Sequence, residues 1–181
     1  MRFTPLELDG AFVIDLDPAH DERGYFARSF CEREFSAHGL PIRFPQSNLS
    51  RNRRAGTLRG IHYAAAPHQE AKLVRCVRGA LYDVVVDLRP SSPSRGRWVA
   101  VELDAERGRA LYIPIGFGHG FMTLEDETDV LYQMGEFFHA EAARGIRYDD
   151  PLLAVRWPRP PTAISVRDAG YPPFDWSRFD G

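Results

Sequence analysis

Two cysteines in 181 residues, Cys31 and Cys76, are too few to staple a fold. That excludes the disulfide scaffold of small secreted domains and favours a reducing, cytoplasmic setting. Long apolar runs are missing too, since no stretch approaches the roughly 18 residues that cross a bilayer. The N-terminus lacks the basic-then-apolar profile of a signal peptide. Neither sign of charge prevails, with 23 Lys plus Arg against 25 Asp plus Glu, so nothing in the balance draws the chain to nucleic acid or an anionic membrane. Repeats with a period of about 20–50 residues and low-complexity blocks are absent as well. A soluble chain remains, of a length suited to one core, and residues 1–181 are expected to form a single domain.

What is present is punctuation. Fourteen prolines and fifteen glycines divide the chain into short segments in which β-branched and aromatic residues alternate with polar ones. The clearest are AFVIDL from Ala11, GTLRGIHYA from Gly56, KLVRCVRG from Lys72, ALYDVVVDL from Ala80, RWVAVEL from Arg97, RALYIPI from Arg109 and DVLYQMGEFF from Asp129. Turn signals separate them at RPSSPSRG after Arg89 and at IGFGHGF after Ile115. The pattern predicts an all-β fold, a jelly-roll (cupin-like) β-sandwich or barrel. One short peripheral helix is expected from Cys31 to His38, stopped by Gly39. The segment 156–181 is too proline-rich for long regular elements and too aromatic for a free linker, so it is expected to lie as an ordered tail across the barrel.

Six histidines offer metal ligands or acid–base groups. A cupin-type metal site needs two histidines at i and i+2 on one strand, a carboxylate further on, and a histidine from a later strand. Pro114, Gly116 and His119 supply the last piece as P-x-G-x-x-H, but Ala64 stands two residues after His62 and has no donor atom. His68 and Glu70 follow AAAP and belong to a loop, so no metal is expected in the cavity. His62, His119 and Tyr132 on inner strands have instead the parts for proton transfer near neutral pH. Lys72 heads an otherwise apolar strand and, facing inward, would stabilise a developing oxyanion. Proton abstraction beside a carbonyl is the chemistry implied. Arg23 and Arg59, with Gln46 and Asn48, add recognition of anions and amides, which fits a phosphate-bearing ligand. Each residue has a plainer reading: a rim arginine, a histidine satisfied by structural hydrogen bonds, a core tyrosine. The functional reading rests on their conjunction.

One stretch, TLRGIHY from Thr57, carries an internal conflict. Arg59 and His62 are three apart, so a regular strand would turn them to opposite faces. If both serve one cavity the alternation must break between them, and Gly60 is where a bulge can form.

Taken in order, DERGYF at Asp21, QSNLS at Gln46, TLRGIHY, KLVRCVRGALYDVVVDLR at Lys72, IPIGFGHGF at Ile113, LY at Leu131 and the DDP…WP…S-x-x-D series ending at Asp168 resemble the nucleotide-sugar epimerases typified by dTDP-4-dehydrorhamnose 3,5-epimerase. The resemblance spans nearly the whole chain. It implies a jelly roll that uses no metal and no cofactor and works as a homodimer with strands or loops exchanged at the interface. It casts His62 as the base that removes a proton beside a C4 ketone, with Asp168 as its partner carboxylate. Tyr132 becomes the acid that reprotonates carbon from the opposite face, and Lys72 the stabiliser of the enolate oxygen. His119, supported by Asp83, becomes a second active-site histidine. Arg23 and Arg59 become pyrophosphate binders, and Phe26, Gln46 and Asn48 line the nucleotide and sugar pocket.

Three departures from the pattern of many relatives involve four positions. Ala64 replaces a glutamine, Arg28 replaces a glutamate associated with the nucleobase, and Phe137 and Phe138 stand where tyrosines are common. The substrate class implied is a nucleotide-diphosphate 4-keto-6-deoxyhexose, epimerised at C3 and C5 through an enolate. A single-site 3- or 5-epimerase and a non-catalytic sugar-binding cupin are the alternatives.

Overall fold

The computed structural model describes residues 1–179, apart from the side chain of Arg178. Asp180 and Gly181, the end of the expected tail, lie outside the described residues. In chain order the elements are β1 (Arg2–Pro5), β2 (Phe12–Asp15), β3 (Ala19–Asp21), β4 (Gly24–Phe26), α1 (Glu32–Ala37), β5 (Gln46–Asn52), β6 (Thr57–Ala64), β7 (Lys72–Arg78) and β8 (Ala80–Asp87). They continue with β9 (Trp98–Asp104), β10 (Ala110–Ile113), β11 (Phe117–Thr123), β12 (Thr128–Met134), β13 (Ala143–Gly145), β14 (Ala163–Ile164) and α2 (Val166–Ala169).

Two open sheets face each other. The first has the order β1-β2-β10-β7-β12-β5, and the second β13-β6-β11-β8-β9 with β14 added to β6. Valines and leucines of β7, β10 and β12 meet Leu81, Val85, Phe117 and Phe121 of β8 and β11 in the layer between them. Their outer faces are covered as well. On the first sheet, Phe35 of α1 is fully buried against Leu73 and Tyr112, with Phe3, Phe12 and Phe44 around it. On the second, Leu153, Trp157, Phe174 and Trp176 pack over Ile61, Val84 and Val86. The tail is thus ordered across a sheet, and its aromatic content has its physical reason in the apolar area it covers there.

This double covering explains where the sequence misleads. IGFGHGF carries the marks of a turn, yet Phe117–Thr123 is a strand buried along its whole length. Its glycines serve close approach: a Cβ on Gly118 would lie 2.8 Å from Ile61, and one on Gly120 3.0 Å from the Arg59 carbonyl oxygen. Strand β5 is the opposite case. QSNLSRN is too polar to announce a strand, but its alternation directs Gln46, Asn48, Ser50 and Asn52 inward at the sheet edge. The helix appears as expected, one residue shorter at each end, over Glu32–Ala37. No helix among the described residues is long and apolar enough to cross a membrane.

Candidate active site

A cavity of about 230 Å³ opens between the two sheets, and Arg59, His62, Lys72, His119 and Tyr132 all line it. Strands β6 and β11 bring Arg59, His62 and His119 from one wall, and β7 and β12 bring Lys72 and Tyr132 from the other. Strand β6 does this by breaking step. His62 pairs with His119 and Arg59 with Phe121, so three residues of β6 are spanned by two of β11. The extra residue is accommodated at Gly60, whose φ is 112°, followed by a cis peptide bond to Ile61. A side chain cannot fit there, because a Cβ would sit 2.5 Å from Gly120 Cα and 2.7 Å from the His119 carbonyl oxygen. The bulge sets Arg59 and His62 on one cavity.

His62 Nε2 donates to Asp168 Oδ1 at 2.8 Å, which leaves Nδ1 as the nitrogen with a free lone pair. The tail holds the carboxylate in place. β14 pairs in parallel with the start of β6, Ala163 beside Thr57, and the Ser165 hydroxyl then accepts from the Asp168 amide at the first turn of α2. Burial pushes the Asp168 carboxyl up, but the hydrogen bond and charge of His62, with the Gly60 amide and Ser165, outweigh it and hold the group below its ordinary value. Asp168 is therefore ionised at neutral pH and fixes the His62 tautomer.

His119 makes the same pair in drier surroundings. Its Nε2 donates to Asp83 Oδ1 at 2.5 Å, and Asp83, on the adjacent strand β8, is fully buried. The second Asp83 oxygen has no hydrogen-bond partner among the described residues.

Lys72 is the sole lysine of the chain, all other basic side chains of the 23 being arginines. Its ammonium lies 3.1 Å from Glu70 Oε1, with both side chains only 11% exposed. The guanidinium of Arg59 donates from Nε to Asn52 Oδ1 at 2.8 Å. Tyr132 stands near both charges. Burial raises its phenol most, Arg59 pulls it down and Glu70 pushes it up, with a net rise that keeps it protonated. A base, a compact cation and a protonated phenol thus share one cavity.

Comparison with known proteins identifies the family. The profile of the family described as dTDP-4-dehydrorhamnose 3,5-epimerase matches residues 5–175. The chain belongs to that family. A dTDP-4-dehydrorhamnose 3,5-epimerase of Sinorhizobium fredii is 42% identical over 173 residues, covering 95% of this chain and 89% of the relative. The crystal structure of the Bacillus anthracis str. Ames enzyme, with TDP and PPi bound, superposes with a TM-score of 0.93 at 34% identity over 96% of this chain and 99% of that one. The structure of a Legionella pneumophila epimerase in complex with dTDP-4-keto-L-rhamnose gives a TM-score of 0.88 at 37% identity, over 94% and 90%. As a member of this epimerase family the protein is an isomerase.

The remaining residues singled out for an epimerase divide into two groups. Asn48 pairs with Tyr132 across β5 and β12, and Gln46 donates to Asn48 Oδ1 at 3.2 Å while accepting from the Phe138 amide at 3.0 Å. Both stand beside the cavity. Arg23 and Phe26 do not: they lie on the exposed β3–β4 hairpin, Arg23 tied to Asp21 and Phe26 80% exposed. Of the departures, Ala64 and Phe138 line the cavity, whereas Arg28 is engaged by Glu34 at 2.9 Å next to α1. Glu70, set aside above as a loop residue, also lines it, as do Arg144 and Arg167, which were not foreseen. Glu70 is recognisable from sequence only as the carboxylate two residues before the single lysine. Arg167 has no signal beyond adjacency to Asp168. For metal binding, the one group of three potential ligands among the described residues is His68, His139 and Glu141, at the cavity mouth.

Proposed function

We propose that this chain epimerises dTDP-4-dehydro-6-deoxyglucose at C3 and C5, through an enolate formed at the C4 ketone. One observation carries the reading: His62 and Tyr132 stand on facing sheets across a single cavity, with Lys72 beside them. Inversion at carbon needs a proton removed from one face and returned to the other. His62 Nδ1 takes the proton next to the ketone, and Asp168 stabilises the imidazolium that results. Lys72 supports the enolate oxygen as charge develops there. Tyr132 delivers a proton to the opposite face, a role suited to a phenol whose burial keeps it protonated. His119, positioned by Asp83, faces the same sugar. Arg59 binds the pyrophosphate, and Gln46 and Asn48 border the sugar and nucleotide. The reading assigns no step to a metal or a cofactor.

Arg23 and Phe26 enter this scheme from a second copy. In the homodimer it requires, the exposed β3–β4 hairpin of one protomer supplies them to the nucleotide end of its partner's cavity. The chain is then one cytoplasmic jelly-roll domain, a topology supported by the two facing sheets, antiparallel but for β14, and the likeness to solved epimerases.

The test is incubation with dTDP-4-dehydro-6-deoxyglucose in deuterated water, following the C3 and C5 protons by NMR. Exchange at both carbons is expected. Exchange at one carbon would make the protein a single-site epimerase, and exchange at neither would sink the catalytic reading. Tyr132→Phe is expected to retain exchange while losing inversion, read as deuterium incorporation without a new sugar.

A further inference from the structure

Three side chains at the cavity mouth have no part in the proton transfer. His68 comes from the loop between β6 and β7, and His139 and Glu141 come from the loop between β12 and β13. Their ligand-capable atoms lie within 4.8 Å of one another. His139 Nδ1 is 3.2 Å from Glu141 Oε1, and the two imidazoles are stacked with centroids 3.6 Å apart and planes 18° from parallel. We propose that these three residues bind a divalent transition-metal ion of the zinc type, at a rim site separate from the groups that move protons.

Two imidazoles and one carboxylate are an established zinc ligand set that leaves a fourth position open, with metal–ligand distances of about 2.0–2.2 Å and hence neighbouring ligand atoms about 3.4 Å apart. The His139–Glu141 pair already has that bite at 3.2 Å. Binding then requires the His68 ring to move inward by at most roughly 1.4 Å, given that the group's ligand atoms lie within 4.8 Å of one another and that a tetrahedral ion sets them about 3.4 Å apart. Ring stacking explains two flat rings in contact. It does not call for a carboxylate at the nitrogen of one and within reach of the other. The Arg144 guanidinium, which donates to the Glu141 carbonyl oxygen at 2.8 Å, adds a nearby positive charge. The ion is accordingly held more weakly than in a closed four-ligand structural site. Because His68 and His139 both line the cavity, a bound ion ties two rim loops together and narrows the entrance.

The experiment uses the full chain, stripped with a chelator, titrated with Zn²⁺ by calorimetry and with Co²⁺ by visible absorption. One ion per chain is expected, with the intense Co²⁺ bands of a four-coordinate site. His68→Ala and His139→Ala should each weaken binding by more than the roughly 10–100-fold that loss of a mere outer-shell partner costs. Glu141→Gln should weaken it less, and His20→Ala should leave it unchanged. Melting curves of the variants establish that they are folded. Absence of Zn²⁺ binding, or binding that survives His139→Gln and His139→Ala yet disappears in His62→Gln, would overturn the proposal. Inhibition of turnover that tracks the Zn²⁺ isotherm supports closure of the rim; full turnover with the site filled overturns that part. The binding readouts do not depend on the epimerase reading.

Discussion

The two histidine–aspartate pairs have the same chemistry and opposite surroundings. His62 is 38% exposed and its carboxylate comes from the C-terminal tail, 106 residues away in sequence. His119 is 10% exposed and its carboxylate comes from the neighbouring strand of the same sheet. The two imidazoles are cross-strand partners, so the difference is set within one rung of the ladder. An exposed imidazole with a fixed tautomer is suited to take a proton from a ligand and give it up again. A buried one, bonded at 2.5 Å to a carboxylate whose other oxygen has no partner among the described residues, is suited to hold position. The lesson is that the pair alone does not define a base; access does.

That contrast can be broken first at its catalytic end. His62→Ala is expected to lower deuterium exchange into substrate by about 100- to 10,000-fold, the range that a general base contributes, with the melting temperature little changed. Asp168→Asn keeps the shape of the pair but stabilises the wrong imidazole tautomer, and turnover should fall by up to about 10,000-fold. Steady-state kinetics should show the loss in kcat more than in KM. A His62→Ala protein with full activity would refute the mechanism.

At the buried end the loss should appear in stability. His119→Ala leaves the Asp83 charge without its donor, which costs about 3–5 kcal/mol, or roughly 6–20 °C in Tm for a chain of this size. Calorimetry of the two alanine variants side by side decides the comparison, and equal losses of Tm would erase it. The smallest effect concerns acid. The folded-state value of Asp168 is depressed, so its contribution to stability is present above the ordinary carboxylate range, about pH 4, and is lost as pH falls through the lower folded value. The Tm difference between the wild type and Asp168→Asn should therefore shrink as pH drops below about 4.

The elements legible in the sequence were those with period-2 alternation between turn residues, namely β2, β6 to β10 and β12. Strand β11 was not, because Gly118 and Gly120 look like turn residues when read locally and are explained only by Ile61 and Arg59 on the next strand. Within the site, His62, Lys72 and Tyr132 were legible as polar residues on apolar strands, and His119 through the P-x-G-x-x-H pattern. The partnership of His62 with Asp168 came from family resemblance, since no local pattern connects residues so far apart. His68 was dismissed as a loop residue. Its neighbours arrive from another loop, and that contact has no sequence signature.

The extra residue in β6 also constrains how such a site can be inherited. The segments on either side of Gly60 run in opposite phases of the pleat, and exchanging one amino acid for another alters a side chain without altering phase. Gain or loss of a residue does alter it. Deleting Gly60 would leave Arg59 and His62 two apart, where plain alternation already sets both on one face. The meeting of anion binder and base thus depends on residue count and backbone shape agreeing: with three steps between them the pleat must slip once, and with two it must not.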